Sequence, residues 1–254
     1  MSTDLKGKVI LVTGSSTGIG AAAARAFGHA GARVAVHYNA SEAAARQVAG
    51  DVAVAGGAAE IFRGDLMQPN EPAHLVQAVR KHFGRIDVLV NNAGNVFDRK
   101  PFSEWTPAEF DAMLQLNVRS VVAMCQAIIG VFRAQGGGNI INVTSIAARN
   151  GGGPGVVLYA ATKGFISTLT RGLAKEFVAD RVRVNGVAPG VILTPLHDRH
   201  TTQATLDALK GTVPMGRLGS ADECAGAFFY LASDALSSYV TGQIIEVNGG
   251  QLMP

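Results

Sequence analysis

Tyr159 and Lys163 stand four residues apart in Tyr159-Ala160-Ala161-Thr162-Lys163, a phenol and an ammonium that a helix brings to one face. A free tyrosine titrates near ~10, too high for easy proton exchange at neutral pH. A fixed cation close by favours the phenolate and makes the pair a candidate general acid/base. Two unit charges about 4 Å apart at an effective dielectric of about 20 attract by about 4 kcal/mol. Even discounted for solvent, that brings a phenol toward neutrality. Tyr38, Tyr230 and Tyr239 have Glu42, Asp234 and Gln243 at the same spacing, so Tyr159 alone carries the cation. The pair by itself also fits an amphipathic helix with a solvated lysine, so its company must decide.

Strand-like and helical segments alternate from start to finish. Strands are expected at Lys8–Thr13, Arg33–Tyr38, Ala59–Gly64, Asp87–Asn91, Asn139–Thr144, Arg183–Val187 and Ile244–Val247. Helices are expected at Ile19–Ala30, Glu42–Ala55, Glu71–Phe83, Pro107–Ala134, Tyr159–Val178 and Ala221–Leu231. Thr106-Pro107-Ala108-Glu109 and Ser220-Ala221-Asp222-Glu223 read as capping boxes. Such alternation implies βαβ units, hence a doubly wound parallel sheet with helices on both faces. The irregular stretch 191–219, with a short helical pattern at Gln203–Lys210, is where a substrate lid is expected.

Composition bounds the rest. With 254 residues, 48% hydrophobic and 16% charged, there is core material for a single large α/β domain. The polar start, Met1 to Lys8, is unlike a secretory signal, and no uninterrupted apolar run reaches about 18 residues. A cytoplasmic, membrane-free protein is therefore expected. Cys125 and Cys224 lack CxxC spacing and read as buried thiols, not as a disulfide or a metal pair. A net charge of +3, scattered and without interleaved aromatics, argues against a nucleic-acid partner.

The first strand runs straight into Thr13-Gly14-Ser15-Ser16-Thr17-Gly18-Ile19-Gly20 and then a helix. Glycines at 14, 18 and 20 permit a tight turn and close approach to a pyrophosphate, which the helix N-terminus favours. The same residues formally satisfy GxSxG, the nucleophile elbow of hydrolases. That elbow needs an acid and then a histidine downstream, and no convincing acid precedes His197 and His200. Where the second strand ends, His37-Tyr38-Asn39-Ala40-Ser41 lacks the carboxylate that usually grips an NAD ribose. Its absence, with Asn39, Ser41 and a helix start at Glu42, admits a 2′-phosphate, so NADP is expected, with NAD as the alternative; Ser41 could equally cap the helix.

Asn91-Asn92-Ala93-Gly94 ends the fourth strand with small and amide residues against which a ribose can lie, and Asn91 could tie neighbouring strands. Asp65 could accept from an adenine amino group or cap the next helix. Asn117 sits inside a long helix, where Asn is a poor former, and its side chain could bind a water. Ser145 ends the fifth strand, on the edge where open sheets bind ligands.

Together these residues resemble the short-chain dehydrogenase/reductase family along essentially the whole chain. The turn at Gly14, Gly18, Ile19 and Gly20, then Asn91–Gly94, Ser145, Tyr159 with Lys163, and Pro189-Gly190 follow that family's order. The closing Gly242–Gly250 is also similar to the family's last strand. The resemblance implies a Rossmann fold and a catalytic tetrad of Asn117, Ser145, Tyr159 and Lys163. Ser145 would orient a carbonyl or hydroxyl, and Tyr159 would exchange its proton. Lys163 would hold the nicotinamide ribose and lower the tyrosine pKa, and Asn117 would anchor a water beside it. The cofactor is expected at Gly14, Ser16, Thr17, Gly18 and Ile19, at Tyr38, Asn39 and Ser41, and at Asp65 and Leu66. It continues along Asn92, Ala93 and Gly94, Tyr159 and Lys163, and Pro189, Gly190, Ile192 and Thr194. One departure stands out: Asn150-Gly151-Gly152-Gly153-Pro154-Gly155 makes the Ser145-to-Tyr159 interval about a residue longer than usual.

Within the family, Pro214-Met215-Gly216-Arg217 is similar to 3-oxoacyl-thioester reductases and relatives acting on sugars, polyols and small ketones. Arg99, Lys100, Arg149 and Arg199 flank the expected cleft and could attract an acidic carrier. Leu193, Leu196 and Met215 would give it an apolar wall. The rival from another class is a non-catalytic nucleotide sensor, which has no need of Tyr159 and Lys163 together. Family members usually form homotetramers through two long helices and the last strand, and the same is expected here.

Overall fold

The computed structural model describes residues 4–194 and 203–253. Seven parallel strands form one sheet: β1 (Val9–Val12), β2 (Arg33–Tyr38), β3 (Ala58–Arg63), β4 (Val88–Asn91), β5 (Gly138–Val143), β6 (Val182–Pro189) and β9 (Ile244–Val247). Their order across the sheet is β3-β2-β1-β4-β5-β6-β9. Leu11 registers with Ala35 of β2 on one side and with Leu89 of β4 on the other.

The strands read as continuous apolar runs because both faces are covered. In β1, Ile10 and Val12 join one core while Val9 and Leu11 join the other. The first core takes Phe27 from α1 (Gly18–His29), Val48 and Val52 from α2 (Glu42–Val54), and Phe228 and Leu231 from a later helix, Ala221–Ala232. The second takes Leu75 and Val79 from α3 (Glu71–Phe83), and Met124, Ile128 and Phe132 from α5 (Ser120–Gln135). Ile166 of α7 (Val157–Glu176) completes it. This is the doubly wound single domain expected from the sequence.

The stretch expected as one helix from Pro107 is α4 (Pro107–Leu114), a π-turn (Gln115–Arg119) and α5. The Thr106 box opens it: the Glu109 N–H donates to Thr106 Oγ1, and the Thr106 N–H donates back to Glu109 Oε2 at 2.9 Å. Pro107–Gln135 contains an 18-residue window of mean hydropathy 1.4 and by length and composition could cross a membrane. Its apolar side chains instead fill the second core, as Met124, Ile128 and Phe132 show. A short α6 (Ala147–Asn150) precedes α7.

Beyond β6, a two-stranded parallel sheet of β7 (Ile192–Leu193) and β8 (Gly219–Ser220) pins both ends of the irregular excursion. Within it lies α8 (Gln203–Lys210); α9 (Ala221–Ala232) and α10 (Asp234–Ser237) follow. Leu196 and Arg199, named from the sequence as cleft residues, lie outside the described residues, as do His197 and His200.

Candidate active site

The glycine turn after β1 is braced from two sides. Gly14 and Gly18 have φ of 61° and 58°, a backbone conformation that penalises other residues. From β4, the Asn92 amide donates to Thr13 O at 2.9 Å and Gly14 O at 3.0 Å, while Thr13 Oγ1 accepts from the Asn92 and Ala93 N–H groups. From β2, His37 Nδ1 accepts from the Gly14 N–H at 2.9 Å, and Nε2 donates to Gly64 O at 3.1 Å. Burial pushes the His37 pKa down to about 4, so the neutral ring holds this geometry at pH 7. Neither Thr13 nor His37 was expected at the site. The available signal was a histidine in an otherwise apolar buried strand.

A cleft of about 430 Å³ opens over the carboxyl ends of β1 and β4, where the winding direction reverses. Gly14, Ser16, Thr17, Gly18, Ile19, Tyr38, Asn39, Ser41, Asp65, Leu66, Asn92, Ala93, Gly94, Tyr159, Lys163 and Thr194 line it, all expected from the sequence. Pro189, Gly190 and Ile192 do not. Pro189 ends β6 and accepts from the Ile146 N–H, Ile192 is buried in the first core, and Gly190 faces a second cavity. Gly190 and Val191 line that neighbouring cavity on the way from β6 to β7.

The donors fit a dinucleotide. Thr17 precedes α1 without capping it, so its hydroxyl and the first helical N–H groups face the cleft. Ser41 likewise makes no side-chain cap on α2, which leaves its hydroxyl for the nucleotide. Asp65, in contrast, spends its carboxylate on the Met67 N–H at 3.1 Å and the Gln68 amide at 3.2 Å. No carboxylate stands at the end of β2. Glu42, the first residue of α2, is bound by Arg46 at 2.6 Å, which holds its pKa below the usual range, and its carboxylate also acts on the Tyr38 hydroxyl.

At the inner end of the cleft the four expected catalytic residues converge. A Cβ on Gly94 would lie 3.2 Å from Asn117 Oδ1 and 3.4 Å from Lys163 Nζ, so both polar tips meet beneath that glycine. Lys163 Nζ donates to Val143 O at 2.9 Å and lies 5.7 Å from the Tyr159 ring centroid. Ser145 Oγ accepts from the Ala147 N–H at 3.1 Å, and its hydroxyl lies near enough to the Tyr159 phenol to lower its pKa.

Two expectations about these side chains change. Asn117 lies in the π-turn and spends its amide on the loop after β4: Nδ2 donates to Asn95 O at 2.8 Å and Oδ1 accepts from the Asn95 N–H at 2.9 Å. Its side chain is therefore committed to protein rather than to a water. The Tyr159 phenol is also not made acidic by Lys163 in the ligand-free chain. Burial raises its pKa, opposed by the Ser145 hydrogen bond and the Arg99 charge, while burial lowers Lys163 to about 8. The ammonium donates to the Val143 carbonyl and lies over the tyrosine ring.

Tyr159 is the single residue shared between this cleft and a smaller cavity of about 130 Å³, lined on its far side by Val96, Arg99, Ser145, Gly190, Leu209 and Gln251. A reacting carbon placed there has a phenol and a serine hydroxyl on one side and the cleft beyond. The largest cavity, about 720 Å³, lies at the opposite ends of the strands. Its charges are mostly paired, Arg85 with Asp87 and Arg183 with Asp234, and no acid/base pair faces it.

A profile of the enoyl-(acyl carrier protein) reductase family matches residues 14–251. A 3-oxoacyl-[acyl-carrier-protein] reductase of Synechocystis is 36% identical over 99% of both chains. The crystal structure of NADH-dependent reductase A1-R′ complexed with NAD superposes with a TM-score of 0.88 at 39% identity, covering 100% of each chain. A short-chain type dehydrogenase/reductase from Mycobacterium marinum gives a TM-score of 0.92 at 37% identity, covering 99% of this chain and 98% of that one. The match spans the turn, the cleft and the tyrosine helix together, and the chain belongs to the short-chain dehydrogenase/reductase family of oxidoreductases.

Proposed function

We propose that this chain interconverts a carbonyl and a secondary alcohol, with a 3-oxoacyl thioester or a small ketone as the reducible group and NADP(H) as the cofactor. A bound nicotinamide supplies or takes up the hydride. Ser145 holds the substrate oxygen, and Tyr159 donates its proton to that oxygen in reduction and removes it in oxidation. Lys163 holds the nicotinamide ribose, and Asn117 fixes the loop carrying Asn95 against the π-turn. Thr17, Ser16 and the α1 N-terminus take the pyrophosphate, and Thr194 takes the carboxamide. The observation that carries this reading is the position of Tyr159 between the cleft and the smaller cavity, whose wall it shares with Ser145.

NADP(H) is supported by the lack of Asp or Glu among the residues directly after β2 and by Arg46 and Arg63, whose charges oppose that of Glu42 at Tyr38. A second reading, NAD(H), is favoured by the absence of any arginine from the lining of the cleft and by the NAD bound to the A1-R′ relative. Fluorescence titration with NADPH and NADH decides between them. Tighter NADPH binding is expected, within about tenfold since these cations stand at the rim; tighter NADH binding removes the NADP assignment. With the tighter cofactor, 3-oxobutanoyl thioesters, sugars and small ketones are then screened for loss of NAD(P)H absorbance. Nucleotide binding with no carbonyl reduced would leave a nucleotide sensor instead. The segment 191–219 is proposed as the substrate lid, anchored by β7 and β8, and the assembly as a homotetramer.

A further inference from the structure

The smaller cavity holds a cation with no bonding partner among the described residues. Arg99 is half-buried in its wall, its Nε is buried without a hydrogen-bond partner, and its side chain forms no ion pair among the described residues. Among the described residues, no Asp or Glu lines that cavity. The neighbouring Lys100 shows the contrast: it is paired with Glu109 and stacked over Trp105 at 4.9 Å. A buried guanidinium N–H left unmatched is costly, and a planar donor fork suits a carboxylate. The Gln251 Oε1 is a second buried polar atom without a partner in the same wall.

The position is built and held. Gly155 has a φ of 79°, and a Cβ there would come within 2.9 Å of Lys100 N and 3.0 Å of the Arg99 carbonyl carbon. Its carbonyl accepts from the Lys100 N–H at 3.3 Å. The glycine-rich loop that lengthens the Ser145-to-Tyr159 interval thus seats the Arg99 backbone. The Arg99 charge in turn acts on the Tyr159 hydroxyl, so the two groups face each other across one small space.

Resting on the carbonyl-reductase reading, we infer that the natural substrate is an oxo acid whose carboxylate is bound by Arg99 while its carbonyl meets Ser145 and Tyr159. Gln251 offers an acceptor to a substrate hydroxyl on the same wall. The volume, about 130 Å³, suits a short oxo acid better than a long acyl chain.

The test uses the intact protein with saturating NADPH or NADH and three acids: 2-oxobutanoate, 3-oxobutanoate and 4-oxopentanoate, each beside its neutral amide. Wild type is expected to favour at least one acid over its amide by about tenfold or more in kcat/KM. Arg99→Gln should reduce that ratio by about 10- to 100-fold, mainly through KM, with nucleotide affinity unchanged. Arg99→Lys should restore part of it. Amides reduced as well as the acids, or a ratio unmoved in Arg99→Gln, overturns the inference while carbonyl reduction stands. If neither acids, amides nor any neutral ketone is reduced, the underlying reading falls and takes the inference with it.

Discussion

Lys163 and Tyr159 share one helix face, yet in the ligand-free chain burial moves both away from their charged forms. The lysine carries a cost. A folded-state pKa near 8 against 10.5 means the unfolded chain binds more protons between those values. Stability therefore rises as pH climbs from about 8 to about 10.5, and at pH 7 the buried ammonium costs roughly 3 kcal/mol. Lys163→Met removes that cost and gives up one hydrogen bond to Val143. Its urea midpoint at pH 7 is expected not to fall below wild type, while turnover is lost. A lower midpoint, with an unfolding free energy reduced by about 2 kcal/mol, would mean that the lysine stabilises the fold. The spacing of this pair was legible in the sequence because helical geometry fixes it. The direction of the tyrosine shift was not, because it comes from burial of the phenol, which depends on segments that meet only in three dimensions.

At the scale of elements, short strands and their turns do the positioning. The β1 turn hangs on His37 from one neighbour and Asn92 from the other, and the Asn91 amide donates to Asn142 Oδ1 of β5, whose own amide donates to Thr170 of α7. That chain of amides fixes the tyrosine helix against the sheet, as the sequence suggested for Asn91 alone. His37 gives the fold a pH dependence. Its folded pKa of about 4 lies below the unfolded 6.5, so stability is complete above pH 6.5 and declines as pH falls toward 4. Urea titrations should show wild type losing about 2 kcal/mol between pH 6.5 and 5, and His37→Asn, which keeps an acceptor for Gly14, losing much less. Equal slopes would remove His37 from the account. Strand and helix positions were readable from apolar runs, caps and glycines. The π-turn was not: its residues keep helical periodicity, and only the side chain of Asn117 bonding Asn95 marks the change.

The whole molecule has outer surfaces suited to self-association. β9 is an edge strand bonded only to β6, and it carries Ile244, Ile245 and Val247. α7 exposes Val157 and Phe165, and Val178 follows just beyond its end. These are the last strand and one of the two long helices through which a homotetramer is proposed. Light scattering should give four times the 26.3 kDa of one chain, and Phe165→Glu should yield smaller species. A wild-type monomer would contradict that assembly. The overall doubly wound order was legible because alternating βα units permit few alternatives, whereas the cavity beyond Tyr159 arises from segments that meet only in three dimensions. The account turns on the phenol that cleft and cavity share, and single-turnover oxidation of enzyme-bound NADPH or NADH by a reducible carbonyl, wild type against Tyr159→Phe, tests it most directly. The expected result is a rate lowered by about 1,000-fold or more with nucleotide affinity within about twofold. A Phe variant that turns over within tenfold of wild type would contradict it.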